Sequence, residues 1–511
     1  MPGATCRIPR AVRLGALLVV AAATGCDSQS AERLPRAPIT LAVGVAQPRG
    51  GTASDAEVAR LSTLLQSAGI VALGRDGRAE PALAERWEAS PDGLTWRFVL
   101  RQSLTFHDGS PITSSTIADI VERDRAEPGP TGVAPGFRDV IALDTPTPRE
   151  LVVHLARPSS LLLEALALTR IVGGDSGAHG AGPFRQPAGE GPERLEAFDG
   201  YFRGRPAIDR VELRSFPTAR TAWVALMRGE VDFLHEVAPD AVEFVEAGSD
   251  VHAASFLRPY LYLLGFNVRH PVLQDRRVRV ALNEAVDRPR LIARALAGRG
   301  LPGGGHVWPR HWAFDHRQAA FGFDAARAAG LLDEAGVPLP ARGDDGRPPS
   351  RFRLTCLLPA DYPLFERLAV ALQRQLLDIG VDLALLPLAP AELGRRLAAG
   401  DFDAYLLEMA GGPGLGWPYW FWRSPEAGRA WVASGYAGAD RALDAVRTAP
   451  TDDGLREAVA DLQQTMRADP PALFLFWGET ARAVRQRFEI PAESDRDLLS
   501  SLAQWRVRTG G

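Results

Sequence analysis

After a polar stretch at 27–37, the chain alternates between two hydrophobic periods. An apolar run at 40–45 predicts a buried strand, and the period then changes: Val58, Leu61, Leu64 and Leu65 fall on one helical face, with Asp55 placed to cap the helix and Gly69 to end it. Pro91, Asp92 and Gly93 signal a turn. Trp96, Phe98 and Leu100 then alternate with polar neighbours, predicting a half-buried strand closed by Asp108 and Gly109. Ile117, Ile120 and Val121 form the stripe of the next helix. Further on, Thr218 opens a helix carrying Trp223 and Leu226, which Gly229 stops before a strand at 231–233. Asp275 caps a helix with Val278, Leu282, Ala285 and Val286 on one side. A longer stripe, Phe365, Leu368, Ala369, Leu372, Leu376 and Ile379, stops at Gly380 before a strand at 381–385. A helix at 391–398, ended by Gly400, precedes a strand at 402–409. Such alternation predicts α/β lobes with mostly parallel sheets. The Gly- and Pro-rich stretches 299–310 and 338–350 read as loops, and no internal repeat is present.

The N-terminus changes the setting. Arg7, Arg10 and Arg13 precede an uncharged stretch at 14–24 that ends in Ala23-Thr24-Gly25 before Cys26. This is the pattern of a secretory signal, residues 1–25, with a lipoprotein-type cleavage site. The apolar run of about 11 residues is too short to cross ~30 Å of hydrocarbon as a helix. Cleavage before Cys26 is expected to free its thiol and amine for acylation. That places the protein outside the cytoplasm on a lipid anchor, with 26–37 as the tether.

Composition narrows the function classes. A hydrophobic content of 46% and a charged content of 23% suit a soluble globular body, and a net charge of -4 without any basic run excludes a nucleic-acid footprint. Of three cysteines, Cys6 leaves with the signal and Cys26 takes lipid, so Cys356 stands alone, without an internal disulfide or a CxxC metal site. The chain has no lysine, which removes Schiff-base and P-loop lysine chemistry. There is no GxSxG and no HExxH, and no pair of carboxylates is singled out. His107, in Phe-His-Asp-Gly, has no partner histidine nearby and reads as a turn residue. The expectation is a protein that is not an enzyme and carries no cofactor.

Several stretches resemble one family. Pro81-Ala-Leu-Ala-Glu-Arg-Trp87, Ser90-Pro-Asp-Gly-Leu-Thr-Trp-Arg-Phe98 and Leu104-Thr-Phe-His-Asp-Gly-Ser-Pro111 are similar to the signature of the solute-binding proteins of peptide and nickel ABC importers, the oligopeptide-binding type. Gly182-Pro-Phe-Arg185, Gly229-Glu-Val-Asp232, Gly265-Phe-Asn267, Asp275-Arg-Arg-Val-Arg279, Ala285-Val-Asp-Arg288 and Gly400-Asp-Phe-Asp403 continue the match in order. The resemblance implies a bilobal periplasmic-binding-protein type II fold with an additional domain on the first lobe. It divides the chain into domain I (38–57, 182–264 and 478–511), domain II (58–181) and a second lobe, domain III (265–477). It further implies a monomer that captures a peptide or peptide-like solute between its lobes and hands it to ABC permease subunits. Metal or metallochelate carriage and ligand sensing without transport are the alternatives. In such a fold the strand through Gly265, Phe266 and Asn267 runs along the cleft floor, so Phe266 and Asn267 become candidate ligand contacts, together with backbone at 48–54.

The chain departs from the family at one place. Peptide binders carry an acidic residue after the strand that ends near Met409, to pair with the peptide ammonium. Here the segment reads Ala410-Gly-Gly-Pro-Gly-Leu-Gly-Trp-Pro-Tyr-Trp-Phe-Trp422, without an acid. A buried ammonium without a counter-ion is costly, which makes Glu408 the nearest substitute. The aromatic run makes Trp417, Tyr419 and Trp420 candidate ligand contacts, and Trp417 and Trp420 share a face only if the stretch is helical. His306, His311 and His316, with Trp308 and Trp312, lie in the Gly/Pro-rich loop expected near the cleft, at a spacing that fits no standard metal pattern.

Overall fold

Apolar strands flanked by amphipathic helices can bury both faces of a sheet, and each lobe is built that way. In Thr40–Ala46, Leu41, Val43 and Val45 face Val58, Leu61 and Leu65 of helix Ser54–Gln66, while Ala42 faces Ala222, Ala225 and Leu226 of helix Ala219–Met227. The computed structural model of the protein describes residues 37–46, 54–126, 134–173, 179–238, 241–246, 250–318, 320–341, 348–425, 431–491 and 497–508. The signal, Cys26, the tether up to residue 36, and 48–53 of the expected backbone contact segment lie outside them.

An 11-stranded sheet spans both lobes. In the first lobe Thr40–Ala46 pairs in parallel with Arg210–Phe216 and Phe233–Val237. In the second, Phe352–Pro359 pairs in parallel with Val381–Leu388 and Ala404–Ala410. Two long antiparallel strands, Val251–Phe266 and Ala472–Arg485, join them. Their register shifts between Leu257 and Leu261, opposite Glu479 and Trp477, and again between Tyr262 and Leu263. The second lobe thus matches the parallel expectation and the first does not, because Arg194–Ala197 and Phe184–Arg185 extend its sheet antiparallel; the crossing strands make the whole sheet mixed. Gly300–Pro302, expected as loop, is a strand on Gly478, Trp477 and Phe476.

The second-lobe sheet is covered on both faces. Leu354, Cys356 and Leu358 meet Leu368, Leu372 and Leu376 of helix Pro363–Leu377, and Leu357 meets Leu393 and Leu397 of helix Pro390–Ala399. The lone thiol of Cys356 is sealed in this core, where burial pushes it up to about 12. Side-chain locks complete the lobe. The fully buried Arg288 donates to the carbonyls of Phe474 (2.6 Å) and Asn283 (2.8 Å) and to Asn283 Oδ1 (2.9 Å).

The additional domain has its own antiparallel sheet, in the order Ala84–Ala89, Thr95–Leu100, Glu150–Leu155, Val140–Thr147, backed by helices Ser114–Ala126 and Leu162–Leu168. Helix Ser54–Gln66 runs through the boundary expected at 57/58 and packs as one body on the first-lobe sheet.

Candidate functional site

Ligands of open α/β sheets sit outside the carboxyl ends of the parallel strands. Register places those ends face to face here. Phe233–Val237 advances from Val484 towards Ala481, and Ala404–Ala410 advances from Phe266 towards Tyr260, so both sets of strands point at the crossing near Leu257 and Leu261. Two charged residues interrupt apolar strands at that point. The Arg258 guanidinium lies 3.2 Å from a Glu408 carboxylate oxygen, and both side chains keep about a third of their surface exposed (33% and 28%). Arg258 also lies over the Tyr260 ring, 4.7 Å from its centre, and within 3.5 Å of the Tyr262 hydroxyl. Burial and then the charge of Glu408 hold the Tyr262 phenol protonated. Half-buried Tyr362 feels Glu408 and, from the first lobe, Glu236 and Glu57. The first lobe thus presents both signs there, with Arg258 acting against Glu236 and Glu57.

Behind Glu236, His235 Nε2 lies 3.0 Å from Glu57, which also binds Arg60. Burial pushes the Glu57 carboxyl up, but the hydrogen bonds from Arg60 and His235 outweigh it and bring it down to about 2. Arg482 holds Asp497 through both carboxylate oxygens (3.1 and 3.0 Å) and donates to the His235 carbonyl, fixing the strand beneath.

The 410–422 segment folds as a Gly-rich loop and a helix, Gly416–Trp422. The glycines make room for bulk: a Cβ on Gly411 would meet the Trp477 ring, one on Gly412 the Trp308 ring, and one on Gly414 the Glu164 carboxylate. Trp417 and Trp420 do share a face, their rings 6.4 Å apart and nearly perpendicular, and with Phe421 and the 44%-exposed Trp431 they form a half-buried aromatic cluster. Tyr419 points elsewhere. It is buried in the second-lobe core and donates to Asp444 at 3.0 Å, which removes it from the candidate contacts.

Phe266 and Asn267 are also corrected. Phe266 has no exposed surface and packs in the core of the second lobe. The Asn267 amide donates to the carbonyls of Gly400 (3.2 Å) and Phe402 (2.8 Å), and its oxygen accepts from the Arg269 backbone. Gly265 pairs with Tyr405 on one side and Ala472 on the other. The strand enters the second lobe's interior before it reaches these residues, and the crossing between the lobes lies six to nine positions earlier, at 258–260.

Two of the three loop histidines are occupied as well. His306 Nε2 donates to the Ala410 carbonyl (2.8 Å) and Nδ1 accepts from Trp422 Nε1 (2.7 Å), so neither nitrogen faces a metal. His311 Nδ1 accepts from the Ala313 backbone. His107 likewise binds the Gly182 carbonyl at 3.1 Å. Burial lowers both His306 and His311 to about 4. The unfolded chain, with ordinary histidines, therefore binds more protons below pH 6.5, and stability falls as pH drops from there towards 4. Between pH 7 and pH 5 each histidine removes on the order of 2 kcal/mol, and the raised Glu164 carboxyl offsets about one of them. Urea unfolding at the two pH values is expected to show a net loss on the order of 2 kcal/mol; a protein more stable at pH 5 would contradict this.

Arg258, Tyr260 and Tyr362 escape a reading based on family motifs, yet a signal was present. Arg258 in Phe256-Leu-Arg-Pro-Tyr-Leu-Tyr262 and Glu408 in Ala404–Ala410 are lone charges inside apolar strands, and the ladder pairs Tyr262 with Glu408. Glu164 in Leu161-Leu-Leu-Glu-Ala-Leu-Ala-Leu168 carries the same signal on a helix.

A sequence model of bacterial extracellular solute-binding proteins, family 5 (middle region), matches residues 78–429. The glutathione-binding protein GsiB of Pectobacterium atrosepticum is 26% identical over 352 residues, 65% of this chain. The match spans 64% of that relative's length, less than two thirds. Among solved structures, the periplasmic binding protein AgaA of A. tumefaciens R10 with agropinic acid is 23% identical with a TM-score of 0.73, covering 92% of this chain and 99% of that one. The oligopeptide-binding protein AppA of Bacillus subtilis with a nonapeptide is 20% identical with a TM-score of 0.73, over 92% and 98%. These likenesses establish the α/β periplasmic-binding-protein fold that the motifs imply.

Proposed function

The chain belongs to the bacterial extracellular solute-binding proteins of family 5, and from that premise we propose that it captures a peptide or peptide-like solute between its lobes and delivers it to an ABC permease. The observation that supports the reading best is the Arg258–Glu408 pair, where the carboxyl ends of both lobes' parallel strands converge. A solute with both an ammonium and a carboxylate finds a partner for each there: the carboxylate engages Arg258, and the ammonium lies between Glu408 and Glu236. Glu408 thus takes the role of the acid missing from 410–416. The Trp417–Trp420–Phe421 cluster supplies an apolar wall for a side chain. Glutathione, the ligand named for one relative, has this mixture of charges. Acylation of Cys26 holds the receptor beside its permease and raises its effective concentration there without extra affinity.

The test is native mass spectrometry of the full chain purified from a bacterial host, followed by calorimetric titration with a panel of di- and tripeptides that includes glutathione. The reading expects a co-purified or titrated peptide-like solute. A bound metal or metal chelate, with no response to any peptide, would replace it with metallochelate carriage.

A further inference from the structure

Among the described residues the additional domain touches the second lobe at several places, of which four bear on the aromatic helix and its surroundings. Ser160 donates through Oγ to the Val446 carbonyl (2.6 Å) and through its backbone to Arg447 (2.9 Å). Asp139, buried, pairs with buried Arg447 and with Arg157 (3.0 Å). The turn after strand Val71–Leu73 presents the Asp76 carbonyl to the Trp312 backbone (2.9 Å), and the Arg78 guanidinium lies over the Trp312 ring at 3.9 Å. The fourth contact is Glu164. Its carboxylate accepts the backbone N–H of Leu415 at 2.8 Å and of Gly416 at 2.9 and 3.0 Å, where the aromatic helix begins. Glycine at 414 and 416 is required for that approach, since a Cβ at either position would overlap the carboxylate. A lone acid in an apolar helix, received by two glycines of another lobe, is a built contact.

We infer that Glu164 is a positioning residue: it fixes the aromatic helix Gly416–Trp422 at the cleft and latches the additional domain to the second lobe. Only the purpose of the latch rests on the solute-capture reading; its existence does not. The latch titrates. Burial pushes the carboxyl up to about 7, while the Gly416 and Leu415 N–H groups act in the opposite direction. The charged and titratable groups on the elements packed around it are Arg138, Asp139, exposed Glu80, Tyr419, Asp440, exposed Arg441, Asp444 and Arg447. Asp139 pairs with Arg447, and Tyr419 with Asp444. When the lobes part, Glu164 returns to water and to the ordinary carboxylate range. Closing therefore takes up a proton between that range and about 7, and the latch weakens as pH rises through neutrality.

Hydrogen exchange of the full chain without added solute tests this, reading the Leu415 and Gly416 amides at pH 6 and pH 8 after correction for intrinsic rates. Their protection is expected to fall on the order of tenfold from pH 6 to pH 8 in the native sequence, and to be the same at both pH values in Glu164→Gln. A pH dependence that survives Glu164→Gln, or none in the native sequence, overturns the inference. If Glu164→Gln does not fold, Glu164→Asp serves, with the shorter acid expected to lower protection while keeping its pH dependence; unchanged protection overturns the inference equally. Because no solute is present, failure of the solute-capture reading leaves this result intact.

Discussion

Replacing Arg288 by leucine is expected to destabilise the protein by about 3–5 kcal/mol, the cost of leaving several buried oxygen acceptors unpaired at about 1–3 kcal/mol each. The guanidinium is 1% exposed and has no carboxylate beside it. Its charge is dispersed over the carbonyls of Phe474, Asn283 and Val286 and over Asn283 Oδ1, and it lies over the Phe321 ring at 5.4 Å. Burial lowers it to about 9, so it remains charged at neutral pH. Leucine fills part of the space but leaves those acceptors in a core without water, each costing about 1–3 kcal/mol if unsatisfied. The residue ties helices Arg276–Glu284 and Arg288–Leu296 to strand Ala472–Arg485, so the loss falls on the whole second lobe. Urea unfolding measures it; a loss below about 1 kcal/mol would mean that the acceptors find other donors.

Arg258→Ala is expected to weaken peptide binding on the order of 30- to 100-fold, the equivalent of one charge-assisted hydrogen bond lost in a partly desolvated site. The effect has two sources. The solute's carboxylate loses its donor, and Glu408 loses the counter-ion that now lies 3.2 Å away, leaving the cleft with the uncompensated charges of Glu408 and Glu236. Glu408→Gln supplies the contrast, because it removes negative charge while leaving Arg258 in place. It is expected to weaken solutes with a free ammonium and to leave N-acetylated ones unaffected or tighter. Calorimetry with one peptide in free and N-acetylated forms reads both variants, and equal responses of the two forms to Glu408→Gln would remove Glu408 from the ammonium site.

Local pattern carried most of the second lobe. The stripe from Phe365 to Leu376 is buried along helix Pro363–Leu377, Asp275 caps its helix by accepting from the Arg277 backbone, and Gly400 ends another in the left-handed region at φ 71°. Thr218 caps the helix it was expected to open, through a reciprocal pair with Thr221. What local pattern missed depends on register between distant strands. Whether Gly265-Phe-Asn267 lines a cleft or a core depends on where Val251–Phe266 leaves its first-lobe partners, and the shift beyond Leu257 decides that. Glu164 shows the same limit: its helix reads as apolar, and only the fold brings it to the backbone of Leu415 and Gly416, 251 and 252 residues away. The apparent absence of an acid from 410–416 was true of the sequence segment and not of the space around it.

The shared 11-stranded sheet has a consequence for how the molecule can be divided. Many two-lobed proteins can be cut into independently expressed halves because an unstructured connector carries no ladder. Here both crossing strands keep their pairing from Val251 and Arg485 on one side to Gly265 and Ala472 on the other. A fragment holding either lobe alone would keep at most half of each long strand and expose a raw apolar edge, a template for association with another copy. The lobes are therefore not modules that recombination can exchange singly; the additional domain, with a sheet and core of its own, is the part of this chain that a gene could gain, lose or trade.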